Sequence, residues 1–144
     1  MGGRFARTAL LLGTTTALVA GVDLAQKAHA LSHSGLVVGH ERSRAYMAVV
    51  TVLLLLWAVA ILFSGSRAIA LGGGVLVGGA VGNLVSLLLW PSFPGVPDPI
   101  VARGVAFSIG DVAVATGLVL VLAATAAFAV RNRARLREPV LLRR

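Results

Sequence analysis

Apolar residues along this chain come in four long blocks rather than in short alternating runs. The blocks cover residues 8–30, 46–63, 68–90 and 109–130. Each approaches or exceeds the ~20 residues that a helix, rising 1.5 Å per residue, needs to cross a hydrocarbon layer about 30 Å thick. None alternates with the two-residue period of a half-buried strand, so the pattern predicts four transmembrane helices. Three connections separate them: a polar stretch over 31–45, a tight turn over 64–67, and a Pro/Gly-rich segment over 91–108. Pro91, Pro94, Pro97 and Pro99 exclude helix from the last of these. The expected fold is an all-α integral membrane protein, with a four-helix transmembrane domain over residues 1–130 and a basic tail over 131–144.

Composition agrees with that pattern. Of the 144 residues, 58% are hydrophobic and only 12% charged, and the mean hydropathy is +0.93. So apolar a chain of this length has too much greasy surface for water. Soluble enzymes, disordered tails and secreted disulfide scaffolds are excluded. The absence of cysteine removes disulfides, thiol nucleophiles and cysteine metal sites. No metal and no cofactor is expected.

The net charge of +8 is read by placing it. Six of the thirteen basic residues lie in the tail: Arg131, Arg133, Arg135, Arg137, Arg143 and Arg144. Basic residues directly after an apolar span signal orientation and meet anionic headgroups, so membrane lipids are the expected partners there. Nucleic acid is not expected, because no folded basic face with interleaved aromatics is visible. With both termini inside, Arg4, Arg7, Arg67 and the tail put nine basic residues on the cytoplasmic side. Arg42, Arg44 and Arg103 leave three outside. The first span also imitates a signal peptide, with Ala28-His29-Ala30 as an A-x-A site. Asp23 and Lys27 between the apolar run and that site favour a retained helix.

Ionisable groups inside a span are costly, so they are paired, inward-facing and commonly functional. Asp23 and Lys27 are four residues apart and share one helix face. A structural ion pair, with Lys27 snorkelling to the interface, stands beside a functional role for Asp23. Gly74, Gly78 and Gly82 recur every fourth residue, a seam where another helix can approach closely. That seam draws Asn83 into the bundle. Asp98, in the third connection, and Asp111, at the start of the fourth span, complete a polar group near the outer leaflet. The remaining acids, Glu41 and Glu138, read as solvated. Two facing carboxylates can share a proton and activate water without metal or covalent nucleophile. The alternatives are that Asp111 only N-caps the fourth helix and that Asp98 only shapes a turn.

These residues resemble lipoprotein signal peptidase (signal peptidase II), a family of four-span aspartic peptidases of bacterial membranes. Asp23-Leu24-Ala25-Gln26-Lys27 is similar to the family's D-x-x-x-K, and Gly78-Gly79-Ala80-Val81-Gly82-Asn83-Leu84 to its G-G-A-x-G-N-L. Gly95-Val96-Pro97-Asp98 and Phe107-Ser108-Ile109-Gly110-Asp111 stand where the family has G-x-V-V-D and F-N-x-A-D. Departures are also present. The family's Asp-Arg after G-N-x-x is replaced by Ser86-Leu87, its Asn by Ser108 and its Ala by Gly110. Its first-loop N-x-G-A-A-F is missing from residues 31–45, although Gly104-Val105-Ala106-Phe107-Ser108 is a similar string.

The resemblance implies a membrane aspartic endopeptidase of the bacterial cytoplasmic membrane, cutting near the outer leaflet. Its substrate would be a prolipoprotein, cleaved on the N-terminal side of a diacylglyceryl-modified cysteine. Asp98 and Asp111 would be catalytic; Asp23, Lys27 and Asn83 would bind substrate or support the site. The departures fall on substrate binding and on the support of the dyad. They favour the alternative of a degenerate homologue acting as a membrane binding or assembly subunit. A third reading, a small proton-relay carrier using Asp23 and Lys27, needs acids deeper in the membrane than Asp98, and the sequence supplies none.

Overall fold

A computed structural model of the chain describes residues 2–33, 37–41 and 43–133. Within it four helices, α1 (Gly2–His33), α2 (Arg44–Ser64), α3 (Arg67–Leu89) and α4 (Ile109–Arg131), are long and apolar enough to cross a membrane. These elements define an all-α, multi-pass membrane protein. The expected spans fall inside the helices, apart from Trp90, which caps the end of α3. The first helix starts several residues earlier than its apolar block and runs unbroken through Ala28-His29-Ala30. Arg42 and the tail residues Arg135, Arg137, Glu138, Arg143 and Arg144, read from sequence as orientation signals or solvated charge, lie outside the described residues.

The turn between α2 and α3 follows from local chemistry. Gly65 takes the left-handed conformation (φ 62°) that ends α2, and the Ser66 hydroxyl accepts from the Ile69 amide to start α3.

α3 is the core of the bundle, packed by α1, α2 and α4. Two thirds (67%) of its apolar window is buried, against 17–22% for the other three helices. Its glycines explain how three neighbours fit around one helix. A Cβ on Gly74 would lie 2.6 Å from Thr15, one on Gly78 2.7 Å from Val19, and one on Gly82 2.6 Å from Asp23. The expected seam therefore receives α1. A second seam, unforeseen, faces α4: a Cβ on Gly72 would meet Val121 at 3.0 Å, and one on Gly79 would meet the Gly110 carbonyl. The outward faces of the other helices carry exposed side chains such as Leu18, Leu53, Leu56, Val119 and Leu122. That surface suits hydrocarbon and would be costly in water.

The connections hold more order than their composition suggests. β1 (Val38–His40) pairs antiparallel with β2 (Val96–Asp98), with Val38 opposite Asp98 and His40 opposite Val96. β3 (Ile100–Ala102) and β4 (Val105–Phe107) form a hairpin. Its two-residue turn, Arg103-Gly104, has positive φ at both positions (51° and 79°), which matches the twist of the strands. Three-residue strands are too short to leave a periodic trace in the sequence. β2 packs on α1 and α3, and Val96 closes an apolar cluster with Met47 and Leu87. This ribbon carries one of the candidate acids to the bundle.

Candidate functional site

At the loop-bearing end of the bundle, polar side chains that would be expensive in isolation satisfy one another. Asp23 and Lys27 are both fully buried, and Lys27 Nζ donates to Asp23 Oδ2 at 2.6 Å. Lys27 Nζ also donates to Asn83 Oδ1 at 2.6 Å. Lys27 therefore does not snorkel. Asn83 on α3 lies within its reach, and a buried partner replaces the water a snorkelling ammonium would seek. The second Asp23 oxygen accepts the Gly110 amide at 2.6 Å. Gln26 Oε1 accepts the next amide, Ile109, at 3.1 Å. α1 thereby fixes the first turn of α4, where backbone donors lack partners inside the helix.

Asn83 joins three helices. Its Oδ1 accepts from Lys27, and its Nδ2 donates to Asp111 Oδ1 at 3.0 Å. The Ser108 hydroxyl lies 3.3 Å from Asn83 Oδ1 and 3.2 Å from Asp111 Oδ2. Ser86, one turn further along α3, is fully buried and donates to the Asn83 carbonyl at 2.7 Å.

Asp111 does not N-cap α4. Ser108 takes that position, accepting from the Asp111 amide at 3.3 Å, while Asp111 Oδ2 accepts from the Ser108 amide at 3.1 Å. The pair forms a capping box, with Asp111 in the third helical position. One oxygen serves the box, and the other faces Asn83. Asp98 is not a turn residue either. It ends β2, fully buried, and its Oδ2 lies 2.7 Å from His40 Nδ1 on β1.

Lys27 bonds directly only to Asp23 and Asn83, and the two other acids act on its ammonium from further off. Lys27 interacts electrostatically with Asp23 first, then with Asp111 and Asp98. Of the five polar residues singled out in the sequence, Asp23, Lys27, Asn83 and Asp111 form one hydrogen-bonded chain, and Asp98, bonded to His40, lies within electrostatic reach of its ammonium. Gly78 and Gly82 shape the α1 contact beside them, and Gly74 acts further from this end. Glu41 is exposed, as its loop position implied. Beside the site a cavity of about 310 Å³ opens between α1, α3 and α4. Leu18, Val22, Val75, Ile109, Val112 and Thr116 line it, so it is apolar up to the residues flanking Asp23 and Asp111.

Three contributors escaped the sequence reading. His40 reaches Asp98 only because two short strands pair across 58 positions, and no local signal announces that. Gln26 sits beside the recognised acid and base but acts on α4. Ser108 was detectable, since Ser-x-x-Asp ahead of an apolar block is the capping-box signature.

Comparison with family models, with curated proteins and with solved structures gave no match.

Proposed function

We propose that this protein is a membrane aspartic endopeptidase that removes signal peptides from lipid-modified prolipoproteins, with Asp98 and Asp111 as the catalytic pair. The observation that carries the reading is that two carboxyls, Asp111 at a helix start bonded to Asn83 and Asp98 on a buried strand, both act on the Lys27 ammonium beside an apolar cavity. In the reaction one carboxylate takes a proton from water, and the hydroxide attacks the scissile carbonyl carbon. The other carboxyl gives its proton to the carbonyl oxygen. The diol intermediate then collapses: the C–N bond breaks, the amine of the lipid-bearing cysteine leaves with a proton from the pair, and a diol hydroxyl returns its proton to the pair as the product carboxyl forms. The cavity between α1 and α4 would take acyl chain or signal-peptide side chains. Lys27, held by Asp23 and Asn83, would keep the negative charge of the pair tolerable in a low-dielectric site. On this reading both termini are cytoplasmic, the site lies near the outer leaflet of a bacterial cytoplasmic membrane, and no metal or cofactor takes part.

The test is cleavage of a purified diacylglyceryl-modified prolipoprotein by the protein in micelles. Asp98→Asn and Asp111→Asn are each expected to lower the rate by about a hundred- to ten-thousand-fold. Failure of the unaltered protein to cut, or full activity in either variant, overturns the assignment.

One observation favours a second reading. Leu87, in the place of the family's arginine, is buried against Met47 and Val96, so apolar packing fills a position where substrate recognition would want charge. A subunit that binds lipidated precursors without cutting them would retain the substrate in the same assay and release no signal peptide.

A further inference from the structure

His40 is the one imidazole at the candidate site among the described residues. Its side chain is half-exposed, whereas the Asp98 side chain it touches at 2.7 Å is fully enclosed. The contact is built in. A Cβ on Gly39 would strike the Pro94 carbonyl, and one on Gly95 would strike the His40 carbonyl. Only glycines at these two places let β1 and β2 lie close enough for the imidazole to reach the acid. Gly95 also has φ 89°, which side chains rarely adopt.

The two carboxyls differ in what surrounds them. Asp111 accepts from the Asn83 amide and the Ser108 backbone, with the Ser108 hydroxyl a further 3.2 Å neighbour. Several donors favour the ionised form of an acid. Asp98 faces a group that can either donate a proton or accept one. Among the described residues the charges near this contact include Lys27, which also feels Asp23 and Asp111, and exposed Glu41 next to His40. Arg44, at the start of α2, points to the Pro91 carbonyl at 3.5 Å.

We propose that His40 is a positioning residue that shares the dyad's single proton with Asp98, assigning Asp98 as the acid and Asp111 as the base. This rests on the peptidase reading. The proton has two placements of equal net charge: Asp98 hydroxyl to neutral Nδ1, or imidazolium to Asp98 carboxylate. Two placements hold it more firmly than one. The exposed half of the ring gives the enclosed acid an exchange route to solvent, so the proton of the pair equilibrates with the medium.

Two measurements test this. The first is the pH profile of kcat/KM on the lipidated precursor for the wild type, His40→Asn and His40→Ala. An amide can bond to Asp98 but cannot take its proton. The alkaline limb of His40→Asn should therefore move to lower pH than that of the wild type. His40→Ala should lose rate at all pH values and recover part of it with added imidazole. A lower rate with unmoved limbs marks a merely structural contact and overturns the proposal. The second measurement needs no cleavage: the imidazole nitrogens are followed by NMR through a pH titration. Asp98→Asn should change the curve of His40 and leave His29 and His33 unchanged, because that exposed, stacked pair bonds within α1. A changed curve in a protein that cuts nothing removes the peptidase reading and keeps the shared proton. An unchanged curve removes the shared proton.

Discussion

Lys27 shows how one side chain decides between structure and chemistry. Its ammonium is fully buried and bonded to a carboxylate and an amide oxygen, and breaking such a pair by removing one partner leaves an uncompensated charge. Lys27→Met is expected to destabilise the folded protein by about 3–5 kcal/mol, read as the shift in unfolding midpoint in micelles. Asp23→Asn/Lys27→Met should recover most of that stability, because the amide still accepts from Gly110 and no charge remains buried. Activity, in contrast, should not return with the fold, since Asp98 and Asp111 would have lost the positive charge that acts on both from nearby. A double variant as active as the wild type would make the pair a structural bridge only. Asn83 gains its importance by the same route. One amide satisfies Lys27 with its oxygen and Asp111 with its nitrogen, and neither a carboxylate nor an aliphatic residue could do both.

At the level of elements, glycine placement governs what meets what. Gly78 lies under α1, with Val19 at 2.7 Å and the Thr16 carbonyl at 2.8 Å from an added Cβ, whereas Gly21 has nothing within 4 Å. Gly78→Ala is therefore expected to cost about 1–3 kcal/mol through overpacking. Gly21→Ala should leave stability unchanged or raise it by up to about 1 kcal/mol. Equal effects of the two in thermal unfolding would deny the seam its role. The α1 half of this arrangement was legible in the sequence, because Gly74, Gly78 and Gly82 recur at helical spacing. The α4 half was not, because Gly72 and Gly79, two turns apart, are a single pair inside a glycine-rich run and act with Gly110 and Gly117 on the partner helix. The spans were legible for a simple reason: hydrocarbon demands long apolar runs, and residues 8–30 through 109–130 answer that demand directly. The same physics explains why Asp23, Lys27, Asn83 and Asp111 stood out, since polar groups are rare and costly there, whereas Asp98 in the third connection stood out as one of only five acids. The ribbons stayed hidden. Val38-Gly39-His40 and Val96-Pro97-Asp98 have no period of their own, and each becomes a strand only by pairing with the other.

For the whole molecule, the orientation argument predicts that both helix ends bearing Arg4 and Arg131 face one side and the β hairpin faces the other. The chain has no cysteine, so single cysteines can be introduced without background. An impermeant thiol reagent should label Arg103→Cys and Glu41→Cys in intact cells, and Arg4→Cys and Arg131→Cys only after permeabilisation. The reverse pattern would put the acids on the cytoplasmic face and remove the lipoprotein substrate from reach. The buried ion pair also has a consequence for how the protein is made. Asp23 and Lys27 leave the ribosome together, four residues apart, so the first helix enters the membrane with its charges already neutralised against each other. Asn83 arrives 56 residues after Lys27 and the Gly110 amide 87 residues after Asp23. The early pair would thus carry itself through insertion, and it keeps that local partnership while adding Asn83 and the Gly110 amide once the third and fourth helices dock.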